Sequence, residues 1–135
     1  MFEIREAKSF DFERLEEILV QNNMLDFPEV DGKEAMSRVC SLMGKYFLVA
    51  ESENYVVGMI RGCYDGSRAL IHQMVVDEEY QCKGIGKQMI GEIGLRFKED
   101  GAKSVAVTSG SGAVGYYGGL GFEDVGVRLM VRGDV

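Results

Sequence analysis

Residues 75–87 constrain this chain more than any other stretch. Val75-Val76 closes an apolar run, Asp77-Glu78-Glu79 breaks it, and Gly84-Ile85-Gly86 opens a pattern in which Ile85, Met89, Ile90, Ile93 and Phe97 recur at helical spacing. The order is strand, turn, helix. Another β-rich run follows at 104–108, and a helix joining two strands of one sheet makes them parallel or splayed neighbours. By contrast, the runs at 46–50, 55–64 and 69–76 are separated only by a short turn after Glu51 and by an Asp65-Gly66 hairpin signal. These three form an antiparallel meander, so the sheet is mixed.

Upstream, residues 3–6 alternate as a short first strand. Phe12, Leu15, Ile18 and Leu19 form the apolar stripe of a helix over 11–21, opposite Glu13, Arg14, Glu16 and Glu17. Residues 22–32 read as a loop, and a second helix over 33–43 buries Ala35, Met36, Val39, Cys40 and Met43. Downstream, a short helix over 112–120 precedes closing strands at 122–125 and 127–132. The expected architecture is α/β (α+β), a single domain over 1–135 with a mixed central sheet of six to seven strands, flanked by helices and splayed at strands four and five. A length of 135 residues with 46% hydrophobic composition suits one core. Gly91 and Gly94, three apart in the long helix, are expected to let it lie close on the sheet. Simple alternation puts His72 with Met74 and Val76, opposite Ile71, Gln73 and Val75.

A net charge of −7 argues against binding nucleic acid or an anionic membrane, both of which need basic surface. No apolar run approaches the ~20 residues of a membrane span, and the first residues do not form a secretory signal, so a cytoplasmic protein is expected. Three scattered cysteines and one histidine describe neither a disulfide framework nor a metal site.

The turn at 81–87 has the makings of an anion site. A helix N-terminus presents backbone N–H groups without intrahelical partners and the positive end of the helix dipole, glycines allow close backbone approach, and Lys83 and Lys87 add charge. Gly110-Ser111-Gly112-Ala113-Val114-Gly115 also matches a dinucleotide-binding turn. That unit lacks its second strand and acidic residue, because only twenty residues remain after Gly115.

Gln81-x-x-Gly84-x-Gly86, between an apolar strand and a helix, resembles the acetyl-CoA motif of the GNAT superfamily of N-acetyltransferases. About thirty residues on, Tyr117-Gly118-Gly119-Leu120-Gly121-Phe122 resembles that family's Tyr-x-x-Leu-Gly-Phe segment. The order of elements is similar over nearly the whole chain. The resemblance implies acetyl-CoA as donor, with backbone groups of Met74, Val75 and Val76 pairing its pantetheine arm. Gln81, Cys82, Lys83, Gly84, Ile85, Gly86 and Lys87 would hold the pyrophosphate. A backbone N–H near Val75 would polarise the thioester carbonyl, and Tyr117 would protonate the departing thiolate. The acceptor would be a small-molecule or peptide amine, attacking directly. An amine needs a proton acceptor, and no glutamate stands at a matching place on the fourth strand; His72 is the candidate, with Asp65 and Glu51 behind it. Asp26, Glu29 and Asp31 suggest a cationic acceptor or merely a solvated loop. Relatives are often dimers, so a homodimer is compatible. A non-catalytic acyl-CoA sensor on the same fold stays open at this point.

Overall fold

In the computed structural model, which describes residues 2–135, five strands form one sheet in the order β1-β2-β3-β4-β5. Strands β1 (Glu3–Glu6), β2 (Phe47–Ser52), β3 (Tyr55–Tyr64) and β4 (Ala69–Val76) are antiparallel neighbours, and β5 (Val105–Val107) runs parallel to β4. Helices α1 (Phe12–Gln21), α2 (Pro28–Asp31) and α3 (Lys33–Met43) precede β2, α4 (Ile85–Glu99) makes the crossover, and α5 (Val114–Gly118) follows β5. The mixed order is the one that the sequence pattern requires.

Each sheet face carries its own core. Phe12, Leu15, Ile18, Leu19 and Met36 of α1 and α3 pack on Phe47, Val49, Met59 and Val75. On the other face, Ile85, Met89, Ile93 and Phe97 of α4 cover Leu48, Ala50, Val57, Ile60 and Ile71. Adjacent strand residues alternate between these faces, as pleating demands, except at Val57 of β3, an extra residue where the β2–β3 register shifts.

Strand β4 breaks that alternation once. The register pairs Arg61 with Gln73 and Gly62 with Ile71, so His72 is an extra residue, a β-bulge. Gly62 permits it, because a Cβ there would stand 2.3 Å from the Leu70 carbonyl oxygen. Past the bulge the faces exchange: Ile71 packs on the α4 side with Met74 and Val76, whereas His72 and Gln73 both line a cleft under α2 and α3. The grouping by simple alternation is therefore corrected for His72 and Ile71. Strands β4 and β5 pair only over residues 69–71 and 105–107, with Thr108 N donating to Ile71 O at 3.1 Å. Beyond that point they part, as expected for a splayed pair.

Three further expectations change. The closing strands at 122–125 and 127–132 do not form, so the sheet has five strands rather than six to seven. Gly121 and Gly126 take left-handed φ, and Asp124 Oδ1 accepts the Gly126 N–H at 2.9 Å, so local turn chemistry interrupts the apolar run. The 22–32 segment is not all loop: Pro28 starts α2 at the position where a missing N–H costs least. Gly91 is exposed, and a Cβ on Gly91 or Gly94 would meet nothing within 4 Å, so neither brings α4 close. That approach occurs from the strand side, where a Cβ on Gly58 would lie 3.2 Å from Met89 Cε.

Gly62→Ala is expected to lower the unfolding free energy by ~2 kcal/mol, the scale of overpacking against backbone that cannot yield. Urea denaturation checks it, with Gly44→Ala, where a Cβ meets nothing within 4 Å, as the control.

Candidate active site

The turn leaving β4 is held at several points. Buried Asp77 accepts the Glu79 N–H at 2.8 Å and pairs with Arg14 of α1, which also donates to Val56 O at 3.0 Å. Burial pushes the Asp77 pKa up, but the Glu79 N–H and Arg14 outweigh it and hold the carboxyl below its ordinary value. Gln81 Nε2 donates to Val76 O at 3.0 Å and to Asn22 Oδ1 at 3.1 Å. Cys82 and Gly84 then adopt φ of 63° and 84°, and α4 begins at Ile85.

This geometry frees a row of donors. Among the described residues, no backbone N–H from Cys82 to Lys87 makes a protein hydrogen bond of good geometry, and Gln88 N is the first to do so, to Gly84 O at 3.1 Å. With the positive end of α4 and exposed Lys83 and Lys87 beside it, the row suits a phosphate. Gly86 makes room beneath the row for Tyr116 and Met74, since a Cβ there would meet Tyr116 Oη at 2.6 Å and Met74 Cε at 3.1 Å.

The edge of β4 presents a second set. Asp77 N donates to Val57 O at 2.8 Å, which makes 75–59 the next hydrogen-bonded pair in the antiparallel ladder. The backbone of Val75 is thus turned toward Met59 and its side chain is buried, while the N–H and C=O groups of Met74 and Val76 face the opening toward β5. Val76 O is already taken by Gln81 and by Asn22 Nδ2 at 3.3 Å. Met74 N–H, Met74 C=O and Val76 N–H remain for an extended, amide-bearing ligand.

His72 lines a cleft of about 600 Å³ next to this opening. Its Nε2 lies 3.2 Å from Cys63 Sγ. Partial loss of water, then the Arg61 charge, lower its pKa against an opposing effect of Asp31. The imidazole is therefore neutral at pH 7 and able to accept a proton. Tyr117 packs outside that cleft, buried on α5 and edge-on to Tyr116 and Phe122 with centroids 5.2 and 5.8 Å away. Burial, then Tyr116, raises its pKa, so the phenol keeps its proton. Asp65 is engaged in the hairpin turn, accepting from Ser67 N and Arg68 N at 2.8 Å each, and Glu51 pairs with Arg5 at 3.0 Å.

Two ion pairs here were not apparent from periodicity. Arg14 belongs by spacing to the outer side of α1, yet it reaches Asp77; Arg61, inside a strand, pairs with Asp31 at 2.7 Å. The available signal was charge in unlikely company, a single arginine among glutamates and another within an apolar strand.

A family model described as an acetyltransferase (GNAT) domain matches residues 14–133. The chain belongs to the GNAT acetyltransferases. Solved structures share the fold. Ard1 from Thermoplasma volcanium is 24% identical with a TM-score of 0.78, over 90% of this chain and 82% of that one. Glucosamine-6-phosphate N-acetyltransferase from Arabidopsis thaliana is 18% identical with a TM-score of 0.75, over 99% of each chain. A predicted acetyltransferase from Clostridium acetobutylicum, with acetyl-CoA, is 17% identical with a TM-score of 0.73, over 98% and 96%.

As a GNAT protein the chain is an acetyl-CoA-dependent N-acetyltransferase. Its residues fit that donor: the N–H row suits a pyrophosphate, and the open β4 edge suits the pantetheine amides. Among the described residues no group of three or more His, Cys, Asp or Glu could hold a metal, and no helix is long and apolar enough to cross a membrane.

Gly86→Ala is expected to weaken acetyl-CoA binding about tenfold by calorimetry. The atom it meets first is the far end of a tyrosine side chain, so the melting temperature should change little.

Proposed function

We propose that this GNAT enzyme acetylates a primary amine, small-molecule or peptide, held in the His72 cleft, by direct attack without an acyl-enzyme stage. One observation carries the reading: the unpaired edge at Met74 and Val76 opens beside the cleft that contains a neutral imidazole. Acetyl-CoA supplies an acetyl group activated as a thioester. The backbone of residues 82–87 and the Met74–Val76 edge orient it, and an outward N–H of that edge stabilises negative charge on the carbonyl oxygen. The amine nitrogen bonds the acetyl carbon as the C–S bond breaks. His72 takes the proton that the nitrogen loses and Tyr117 gives one to the departing sulfur, leaving an amide and a free thiol.

The pairing of Cys63 with His72 Nε2 leaves Nδ1 for the amine or an intervening water. Three free cysteines support a reducing, cytoplasmic setting. A homodimer belongs to the same reading, with exposed Val125, Val127, Met130 and Val131 as surface available for it.

The test is CoA-thiol release with primary amines at varied pH. Tyr117→Phe should reduce kcat about 100-fold with little change in the KM for acetyl-CoA. For His72 the sign follows from its depressed pKa: neutral and active above it, the imidazole protonates as pH falls through it. The free-amine fraction declines steadily below the amine's own pKa, and His72 adds a second fall at a pH under the ordinary ~6.5. His72→Asn should lower kcat and abolish that second fall; an unchanged profile would remove His72 as the base.

A further inference from the structure

The acidic residues before α3 suggested a cationic acceptor, but their surroundings point elsewhere. Asp31 is committed to Arg61 at 2.7 Å, and Asp26 does not line the cleft. The charged lining residues are Glu29, Asp31, Arg38 and Arg61, two of each sign, and His72 is neutral. A second ammonium would lose its hydration there for one carboxylate outside an ion pair, Glu29, with Arg38 and Arg61 in the same lining to oppose it. A phosphate would meet Arg38, whose recorded bond is to the Glu29 backbone carbonyl at 3.2 Å, but it would also face the Glu29 and Asp31 carboxylates in the same lining. The rest of the lining is mainly hydrocarbon, with Val39, Leu42, Met43, Leu70 and Leu129, while Cys63, Gln73 and Thr108 are polar and the buried Gln73 Oε1 has no partner among the described residues.

Resting on the acetyl-transfer reading above, we propose that the acceptor is a primary monoamine with an uncharged hydrocarbon body, of alkyl or arylalkyl type. Its nitrogen sits at the polar end of the cleft, where His72 and Thr108 flank the opening of β4 from β5, and its body lies on Leu42 and Leu129. A cleft of about 600 Å³ accommodates such a molecule without requiring a buried charge. The same apolar wall helps the chemistry. It disfavours the ammonium form and so raises the fraction of amine that can attack. The bond changes are those of the transfer itself, with one N–H proton leaving for His72 and one proton reaching the sulfur from Tyr117.

The experiment compares kcat/KM for 2-phenylethylamine, isoamylamine, spermidine and glucosamine 6-phosphate under saturating acetyl-CoA, on the full chain and on Leu42→Asp. Leu42 is 79% exposed, so its replacement spares the core. The two hydrocarbon amines should exceed the other two by ~10-fold or more. Leu42→Asp should cut their kcat/KM by ~10-fold, mainly through KM, and narrow the gap to spermidine. Leu129→Asp should act in the same direction. Preference for spermidine or glucosamine 6-phosphate, or a ratio unmoved by both variants, overturns the hydrocarbon-acceptor proposal and leaves acetyl transfer standing. Bound acetyl-CoA with no turnover of any of the four overturns both.

Discussion

Because Gly62 has no Cβ, β3 and β4 approach at Leu70 closely enough for β4 to carry one extra residue, His72. That insertion swaps the faces of everything after it. It turns His72 and Gln73 together into the cleft, moves Met74 and Val76 to the α4 side, and is followed by the divergence of β4 from a β5 only three residues long. The bulge thus puts His72 and Gln73 in the cleft directly before the edge that β5 leaves free. A regular β4 continuing from Ile71 would carry Gln73 to the α4 face and leave Met74 and Val76 on the side of His72.

Binding of a highly anionic donor by a chain of net charge −7 then needs explanation. The answer is local. In the proposed site, phosphate recognition would rest on backbone N–H groups whose direction is fixed by the turn, and the turn is anchored to the rest of the fold through the Arg14–Asp77 pair and the Gln81–Val76 hydrogen bond. Fixed dipoles need no reorganisation when the anion arrives, whereas a cluster of mobile lysines would. Of the acidic residues nearby, Asp77 is neutralised by Arg14 and accepts the Glu79 N–H.

The repetitive parts of the fold were legible from sequence. Strand β1, α3, β3 and β4 fall at the expected residues, because each has a clear apolar period and a turn signal beside it. The strand–turn–helix junction was legible too, since Gly84 and Gly86 sit between β4 and α4. What escaped periodicity was whatever depends on a single residue breaking it. The bulge at His72 is one case, because inserting one residue inverts all later face assignments. The 122–132 segment is another, where the apolar alternation suggested strands but Asp124 and Gly126 made a turn. Arg61 with Asp31 and Arg14 with Asp77 are long-range pairs that no local pattern encodes.

The central claim is that the Met74–Val76 edge and the N–H row after it together receive the donor. Amide hydrogen exchange with and without acetyl-CoA measures it directly. Slowed exchange at Met74, at Val76 and across residues 82–87, with Val75 unchanged because its N–H already pairs with Met59, is the predicted result. Saturating acetyl-CoA that leaves those amides at their unliganded rates, or protects a different edge of the sheet, would contradict it.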